Sequence, residues 1–377
     1  MHFAIEKSIL EKALRNVVVS AQRKSIMPAL GCVKIVAGDG KITMTTTNLE
    51  TETCDVVDCS VITKDGVAIV PVYTILDIVS TMPADVKINF ESKDESCSVI
   101  VVSSGKRINE IVCLSDEFPD VLGGQYDSEI KLNAKAFGVI VKKVSFAMSQ
   151  APERHNLNGI HVSTEEEDGK SYLSCVATDG HRLCFAKVEL SESISLSSKL
   201  LPRKAVSEMI KLLDVDSECS LCFSQNKAKI KIGNMYFATK LVDASFPDYK
   251  KVVPQNNTKT LEIKMDALAN ELKAVSIVAQ GKGVKLTIKP SSLFLECIGP
   301  DGSKSSTELD CTFVGEDGDF TTTYNPIFLE DVFKVVDKNK NKDEIIRISF
   351  KSSDSPSIIQ SPADKNAYYV VMPMKAE

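Results

Sequence analysis

The sequence predicts an α+β protein made of three copies of one unit, each with two helices packed on antiparallel strands. Three observations predict it. An apolar stripe at helical spacing occurs near the start, in the middle and again in the last third of the chain. Each stripe runs on into alternating, β-branched segments joined by turn residues. A second amphipathic segment then opens at a proline: Pro71, Pro202 and Pro326.

The first stripe is Ile9, Leu10, Ala13, Leu14, Val17 and Val18, behind Ser8 and Glu11, which read as an S-x-x-E capping box. It returns as Ala136, Phe137, Ile140, Val141 and Val144, and again as Leu268, Leu272, Val275 and Ala279 behind Asp266, a candidate N-cap. Hairpins follow, turning at Asp39-Gly40 in the first copy and Asp168-Gly169 in the second. GVKLTIKPSSLFLECIG is the third. The second stripes are Ile75, Ile78, Val79 and Met82, then Val206, Met209, Ile210 and Leu213, then Leu329, Val332, Phe333 and Val336. Proline suits a first helical position because its missing N–H has no helical partner there. The first two copies end alike, LSDEFPDV at 114–121 and LVDASFPDY at 241–249. Periods of about 130 and then about 123 residues exceed any solenoid repeat, so each copy is a domain: 1–126, 127–256 and 257–377.

At 377 residues, 43% hydrophobic and 25% charged, the chain is ordinary globular material with room for several cores. No stretch nears the roughly 20 apolar residues of a membrane span. The start, MHFAIEKSIL, lacks the basic and apolar regions of a secretory signal, so a cytoplasmic protein is expected. Eleven scattered cysteines behave as small apolar residues in β-like runs, as at Cys32, Cys97, Cys113, Cys175 and Cys297. Cys219 and Cys222 have C-x-x-C spacing, but no second ligand pair accompanies them, and no metal or cofactor is expected.

Catalytic patterns are missing. There are four histidines, no HExxH and no G-x-S-x-G. Gly38-Asp39-Gly40-Lys41 lacks the earlier glycine of a phosphate loop (Ile35 stands there) and joins strands. Glu165 and Glu166 fall in a hairpin region where solvation accounts for them. The alternative to a binding module is a multidomain enzyme on nucleic acid whose site is not visible in sequence.

The net charge of −6 argues against nucleic acid until it is sorted by element. Positive charge gathers on helix faces turned away from the stripes: Lys12, Arg15 and, just beyond, Arg23 and Lys24; Lys135, Lys142 and Lys143; Arg203, Lys204 and Lys211; Lys334, Lys338, Lys340 and Lys342. Repeated units joined head to tail close into a ring when the rotation allows. Two copies would supply about twelve helices, which at about 9–10 Å between axes line a hole near 35 Å across. A duplex about 20 Å wide passes through it with water to spare.

ATDGHRL (177–183), KLVDASFPDY (240–249), LPRKAV (201–206), LNG (157–159) and YVVMPM (369–374) carry a more specific signal. On these the chain resembles, along its whole length, the bacterial DNA polymerase III beta subunit, the sliding-clamp family. The resemblance implies a head-to-tail homodimeric ring of pseudo-sixfold symmetry around duplex DNA, with no catalysis of its own. It implies as partners the replicative polymerase, a separate clamp loader and other proteins of replication and repair, and no membrane.

It also implies a cleft between the second and third domains for a short peptide carrying glutamine and bulky apolar residues. The matching positions are Arg154, Leu157, Thr178, Gly180, His181, Arg182 and Leu183, then Pro247, Lys251 and Val252, then Asn325 and Phe328, and last Val370, Val371, Met372, Pro373 and Met374. His181 and Asn325 are expected to fix polar ends of the peptide. Methionines adapt to varied apolar partners; taken singly, Met372 and Met374 would more often be core. DNA contacts carried over are Lys12, Arg23, Lys24, Gln150, His155, Asn156, Arg203 and Lys204, with His155 and Asn156 where the family often has aromatic residues. At the dimer contact, Ile277 and Val278 would meet the partner's first domain near Ile108.

Overall fold

The computed structural model describes residues 1–115, 117–120, 122–315, 319–336 and 344–375. Lys338, Lys340 and Lys342 lie outside the described residues, as do two positions of the 114–121 phrase. Six α-helices are present among the described residues: α1 Lys7–Val17, α2 Val72–Ser80, α3 Ala134–Ser145, α4 Arg203–Met209, α5 Met265–Val275 and α6 Pro326–Val335. Two fall in each repeat. No helix is long and apolar enough to cross a membrane.

Each helix buries the face its spacing predicts. Leu10, Ala13, Leu14 and Val17 of α1 are buried, as are Phe137, Ile140, Val141 and Val144 of α3 and Leu268, Leu272 and Val275 of α5. Removing one such leucine side chain costs about 2–5 kcal/mol. Ile9 departs from its expected place and is exposed.

Several helix starts differ from the sequence reading. The strand His2–Glu6 feeds directly into α1, so Ser8 is already helical and no side chain caps that end. Glu11 instead binds Arg15 at 2.6 Å and Lys7 at 3.4 Å along the helix. Asp266 is inside the first turn of α5, where its charge suits the helix dipole without capping it. Pro326 is the first residue of α6, but Pro71 and Pro202 end strands just before α2 and α4. Cys97 sits in a loop with φ 54°, not in a strand. Lys143, expected on an outward basic face, is buried and paired with Asp364 at 2.7 Å. An unpaired buried ammonium would be too costly there.

The chain packs as two compact units, Met1–Lys135 with Lys204–Leu241, and Ala136–Arg203 with Val242–Glu377. All sheets are antiparallel. The first unit holds a five-stranded sheet ordered Val61–Lys64, His2–Glu6, Lys87–Ser92, Val99–Ser104, Arg107–Val112. Its eight-stranded sheet joins Met235–Lys240 of the second repeat to Thr51–Asp58 of the first. The second unit holds a nine-stranded sheet, in which Arg182–Glu189 of the second repeat pairs with Ala367–Val371 of the third. A four-stranded sheet completes it, ordered Lys304–Asp310, Ser292–Ile298, Val284–Ile288, Phe320–Tyr324.

Repeat therefore follows repeat through one kind of joint. A strand pairs with the final strand of the next repeat, and the same turn starts it. Asn48 Oδ1 accepts from the N–H groups of Glu50 and Thr51, at 3.0 and 2.8 Å. Asp179 Oδ1 accepts from those of His181 and Arg182, at 2.9 and 3.0 Å. Asp301 Oδ1 accepts from that of Ser303 at 2.9 Å. The residue after each turn-former is left-handed: Leu49 at φ 73°, Gly180 at 90° and Gly302 at 84°. The third turn leads into Lys304–Asp310, which is a sheet edge, and Arg107–Val112 is another.

Candidate functional site

The second joint carries most of the carried-over cleft residues. Its centre is Arg182, whose side chain is largely buried. Nε donates to Asp179 at 3.0 Å, Nη1 to Asp331 of α6 at 2.8 Å and Nη2 to the Phe146 carbonyl at 3.0 Å. Phenylalanines flank the guanidinium, Phe146 at 5.0 Å and Phe328 at 4.8 Å. Burial pushes the Asp331 carboxyl up, but hydrogen bonds from Arg182 and Lys334 outweigh it and hold it below its usual range. Arg182 thus locks the second repeat to α6 of the third, with its fork already filled.

Behind this lock the joint is apolar. Leu183 pairs with Val370 across the strands, and both join Val176, Phe185 and Tyr249 in one buried cluster. His181 is exposed and stacks on Phe328 at 6.0 Å. Its carbonyl accepts the Met372 N–H at 2.9 Å, which carries the chain out over the cleft. Met372 is 41% exposed and Met374 37%, against the core reading of each taken singly. Thr178 donates its hydroxyl to the Arg182 carbonyl at 2.7 Å. Arg154 donates to the Asp179 carbonyl at 2.8 Å and lies close against Gly180, where a Cβ would meet its Nη1 at 3.0 Å.

Other carried-over positions have different surroundings. Asn325 accepts the Ile327 N–H at 3.0 Å, so its oxygen caps α6. Val371 is fully buried and presents no side chain to a ligand. Met374 donates its N–H to Thr323 at 2.8 Å and lies beside Gly283. Leu157 ends a short 3-10 turn, His155–Leu157. Pro247, Lys251 and Val252 are exposed around another, Tyr249–Lys251.

His161 was not singled out by sequence. Its ring lies 4.9 Å from Phe246 and 5.9 Å from Tyr249, buried, with Nδ1 unpartnered among the described residues. Burial lowers its pKa to about 4. Asp179, Asp331 and Phe146, which hold Arg182, were missed too. Only Asp179 left a signal, as one of several Asp-Gly turn pairs.

Among the carried-over DNA residues, Lys12, Arg23, Lys24, Gln150, His155, Asn156 and Lys204 are exposed, and Arg203 is half-buried. Arg23 rests its guanidinium 4.4 Å from the Tyr73 ring centre. Two residues beyond Lys24, Ile26 is fully exposed at 104%. No cluster of three or more metal-ligating side chains occurs among the described residues.

Comparison with known proteins decides the family. The N-terminal, central and C-terminal domain models of the DNA polymerase III beta subunit match residues 1–122, 131–248 and 250–375. The chain belongs to the DNA polymerase III beta subunit family. It is 29% identical to the beta sliding clamp of Escherichia coli and 28% identical to that of Caulobacter vibrioides, over the full length of both chains in each case. The Bartonella birtlesii clamp, solved bound to griselimycin, superposes with a TM-score of 0.92 at 28% identity, with each chain fully covered. The Pseudomonas aeruginosa subunit gives 0.92 at 26%, again over both whole chains. The three-domain clamp fold, with helices on antiparallel sheets, is thereby shared, and the family is that of the non-catalytic clamp subunit of the polymerase.

Proposed function

We propose that two copies of this clamp close head to tail into a ring of pseudo-sixfold symmetry. The ring encircles duplex DNA and tethers the replicative polymerase to it. One observation carries the proposal: two joints of one kind inside the chain, and two sheet edges, Arg107–Val112 and Lys304–Asp310, that hold the same places in their repeats as the strands of those joints. In the first joint Thr51 faces Thr239 and Asp55 faces Met235. In the second Arg182 faces Val371 and Ala186 faces Ala367. Continuing this register puts Lys304 opposite Ile111 of the partner subunit, and Glu308 opposite Arg107 of the partner subunit. Opposite charges facing each other on neighbouring strands attract. Ile108, on one edge, is 66% exposed, and Ile277, on a turn packed beside the other, 78%. Val278 follows it in the same turn.

The reading takes domain boundaries at 1–126, 127–256 and 257–377, close to the limits of the family matches. Exposed Lys12, Arg23, Lys24, Gln150, His155, Asn156 and Lys204, with Arg203, face the duplex, and such phosphate contacts weaken steeply with salt. A topological hold does not. Partners insert a peptide into the cleft over Leu183, Val370 and Met372, with His181 and Phe328 as its wall. A loader opens the ring, other replication and repair proteins share the cleft, and the work is done in the cytoplasm. The Bartonella relative was solved bound to griselimycin, which supports a ligand-binding site in this fold.

Light scattering on charge variants tests the ring. Arg107→Glu or Glu308→Arg alone should shift the dimer towards monomer, and the double swap should restore it. The restored dimer, loaded on circular duplex, should persist in high salt and leave on linearisation. Identical masses for all variants would remove the edge pairing.

A further inference from the structure

We propose that Lys304 of one copy forms an ion pair with Asp77 of the partner subunit at each contact that closes the ring. This rests on the head-to-tail reading above and adds a cross-tie to its paired edges.

Each internal joint has such a tie. Three residues after the turn-former, a side chain reaches the second helix of the following repeat. After Asn48 it is Thr51, whose hydroxyl donates to Glu208 of α4 at 2.7 Å. After Asp179 it is Arg182, whose Nη1 donates to Asp331 of α6 at 2.8 Å. The two acids hold one place on their helices, two residues beyond the first member of the apolar stripe, Val206 in α4 and Leu329 in α6.

The same two places recur once more, on parts of the chain that no internal joint brings together. Three residues after Asp301 stands Lys304, the first residue of its edge strand and the only basic one on it. Two residues beyond Ile75, which begins the stripe of α2, stands Asp77, the only charged residue of that helix. Both are exposed, and neither side chain makes an ion pair or hydrogen bond among the described residues. Their lengths match as well. The first joint sets a short threonine against a long glutamate, and the second a long arginine against a short aspartate. Lysine against aspartate repeats the second combination.

The first repeat presents its last strand and its second helix together, as the joints require. Arg107, which begins that strand, donates from Nη1 to the Thr81 carbonyl at the end of α2, at 3.0 Å. In the register above, Lys304 lies opposite Ile111 of the partner subunit. The acid next to that position, Glu110, is engaged by Lys93 at 2.6 Å within its own copy. Asp77 is left as the uncommitted acid on this surface.

Light scattering of the full chain over a dilution series tests the pair. Lys304→Asp and Asp77→Lys should each raise the dimer dissociation constant about fivefold per contact, or about 25-fold for a ring with two. The double swap should bring it back to within about threefold of the unaltered protein. A zero-length carbodiimide, applied to mixed 15N-labelled and unlabelled protein, should couple Lys304 to Asp77 of the partner subunit in a crosslink of mixed isotope. Single variants as tight as the unaltered dimer, a swap no tighter than the singles, or coupling of Lys304 to other acids only overturns the pair while the dimer stands. An unaltered protein that stays monomeric at every concentration defeats the ring reading, and the pair with it.

Discussion

The two internal joints share a turn and a strand register but differ in the side chains they enclose. At the first, the strand after the turn carries Thr51 and Glu52. Thr51 donates its hydroxyl to Glu208 of α4 at 2.7 Å, and Tyr236 donates to Glu52 at 2.8 Å. At the second, the same two positions are Arg182 and Leu183. Arg182 reaches an acid on the second helix of the following repeat, as Thr51 does, but Leu183 joins a buried apolar cluster where Glu52 makes a buried polar contact. One backbone device therefore serves as plain connection or, in the function proposed above, as binding cleft, and single side chains decide which.

The largest test of this difference is Arg182→Ala. It leaves the Phe146 carbonyl without its donor and Asp331 with Lys334 alone, and should cost about 3 kcal/mol in urea unfolding. Arg182→Lys should rescue little, because the three donors of an ammonium radiate from one nitrogen and cannot reach three acceptors spread around a guanidinium. A cost of about 1 kcal/mol or less would mean that this joint is held by its strands alone.

His161 gives the second joint an acid weakness. Its folded pKa, about 4, lies below the ordinary 6.5, so the unfolded chain binds the proton first. Stability is complete above 6.5 and declines as pH falls towards 4, by about 3 kcal/mol in all. Melting temperatures between pH 7 and 4 should fall steeply, and His161→Phe should flatten the decline. An unchanged slope in the variant would assign the acid limb to other groups.

Glu208 makes the first joint respond in the opposite sense. Burial raises its pKa against the Thr51 hydrogen bond, so the folded chain holds its proton longer than the unfolded one. This contribution is present at low pH and is lost as pH rises through the folded pKa. Glu208→Gln keeps an acceptor without the charge and should leave stability at neutral pH equal or higher by about 1 kcal/mol. A clear loss would show that the carboxylate itself is needed.

The smallest effect concerns the turn. Leu49 holds the left-handed conformation that Gly180 and Gly302 adopt without cost. Leu49→Gly should stabilise by up to about 1 kcal/mol, the relief of strain less the extra freedom of the unfolded glycine. Calorimetry would detect it.

How much of this was legible in the sequence follows the range of the forces. Stripes such as Leu10, Leu14 and Val17 are local in origin, and the helices follow them. So do the hairpins at Asp39-Gly40 and Asp168-Gly169, whose left-handed residues encode the turn by themselves. Helix starts were misread because a strand running straight into a helix, as at Glu6-Lys7, removes any place for a capping side chain. Lys143 was misread because its partner, Asp364, lies 221 positions away, beyond any local pattern. The cleft positions came from resemblance alone. That Arg182 is already filled by Asp179 and Asp331, and that Asn325 caps a helix, depends on distant contacts that spacing does not record.

The two open edges are unlike each other, so every copy has a head and a tail. In the proposed ring, a variant spoiled only along Lys304–Asp310 would still offer an intact Arg107–Val112 edge, and in a mixed population it would occupy a sound copy without letting the circle close. Single-edge damage should therefore poison its normal counterpart, whereas damage to both edges should be silent beside it.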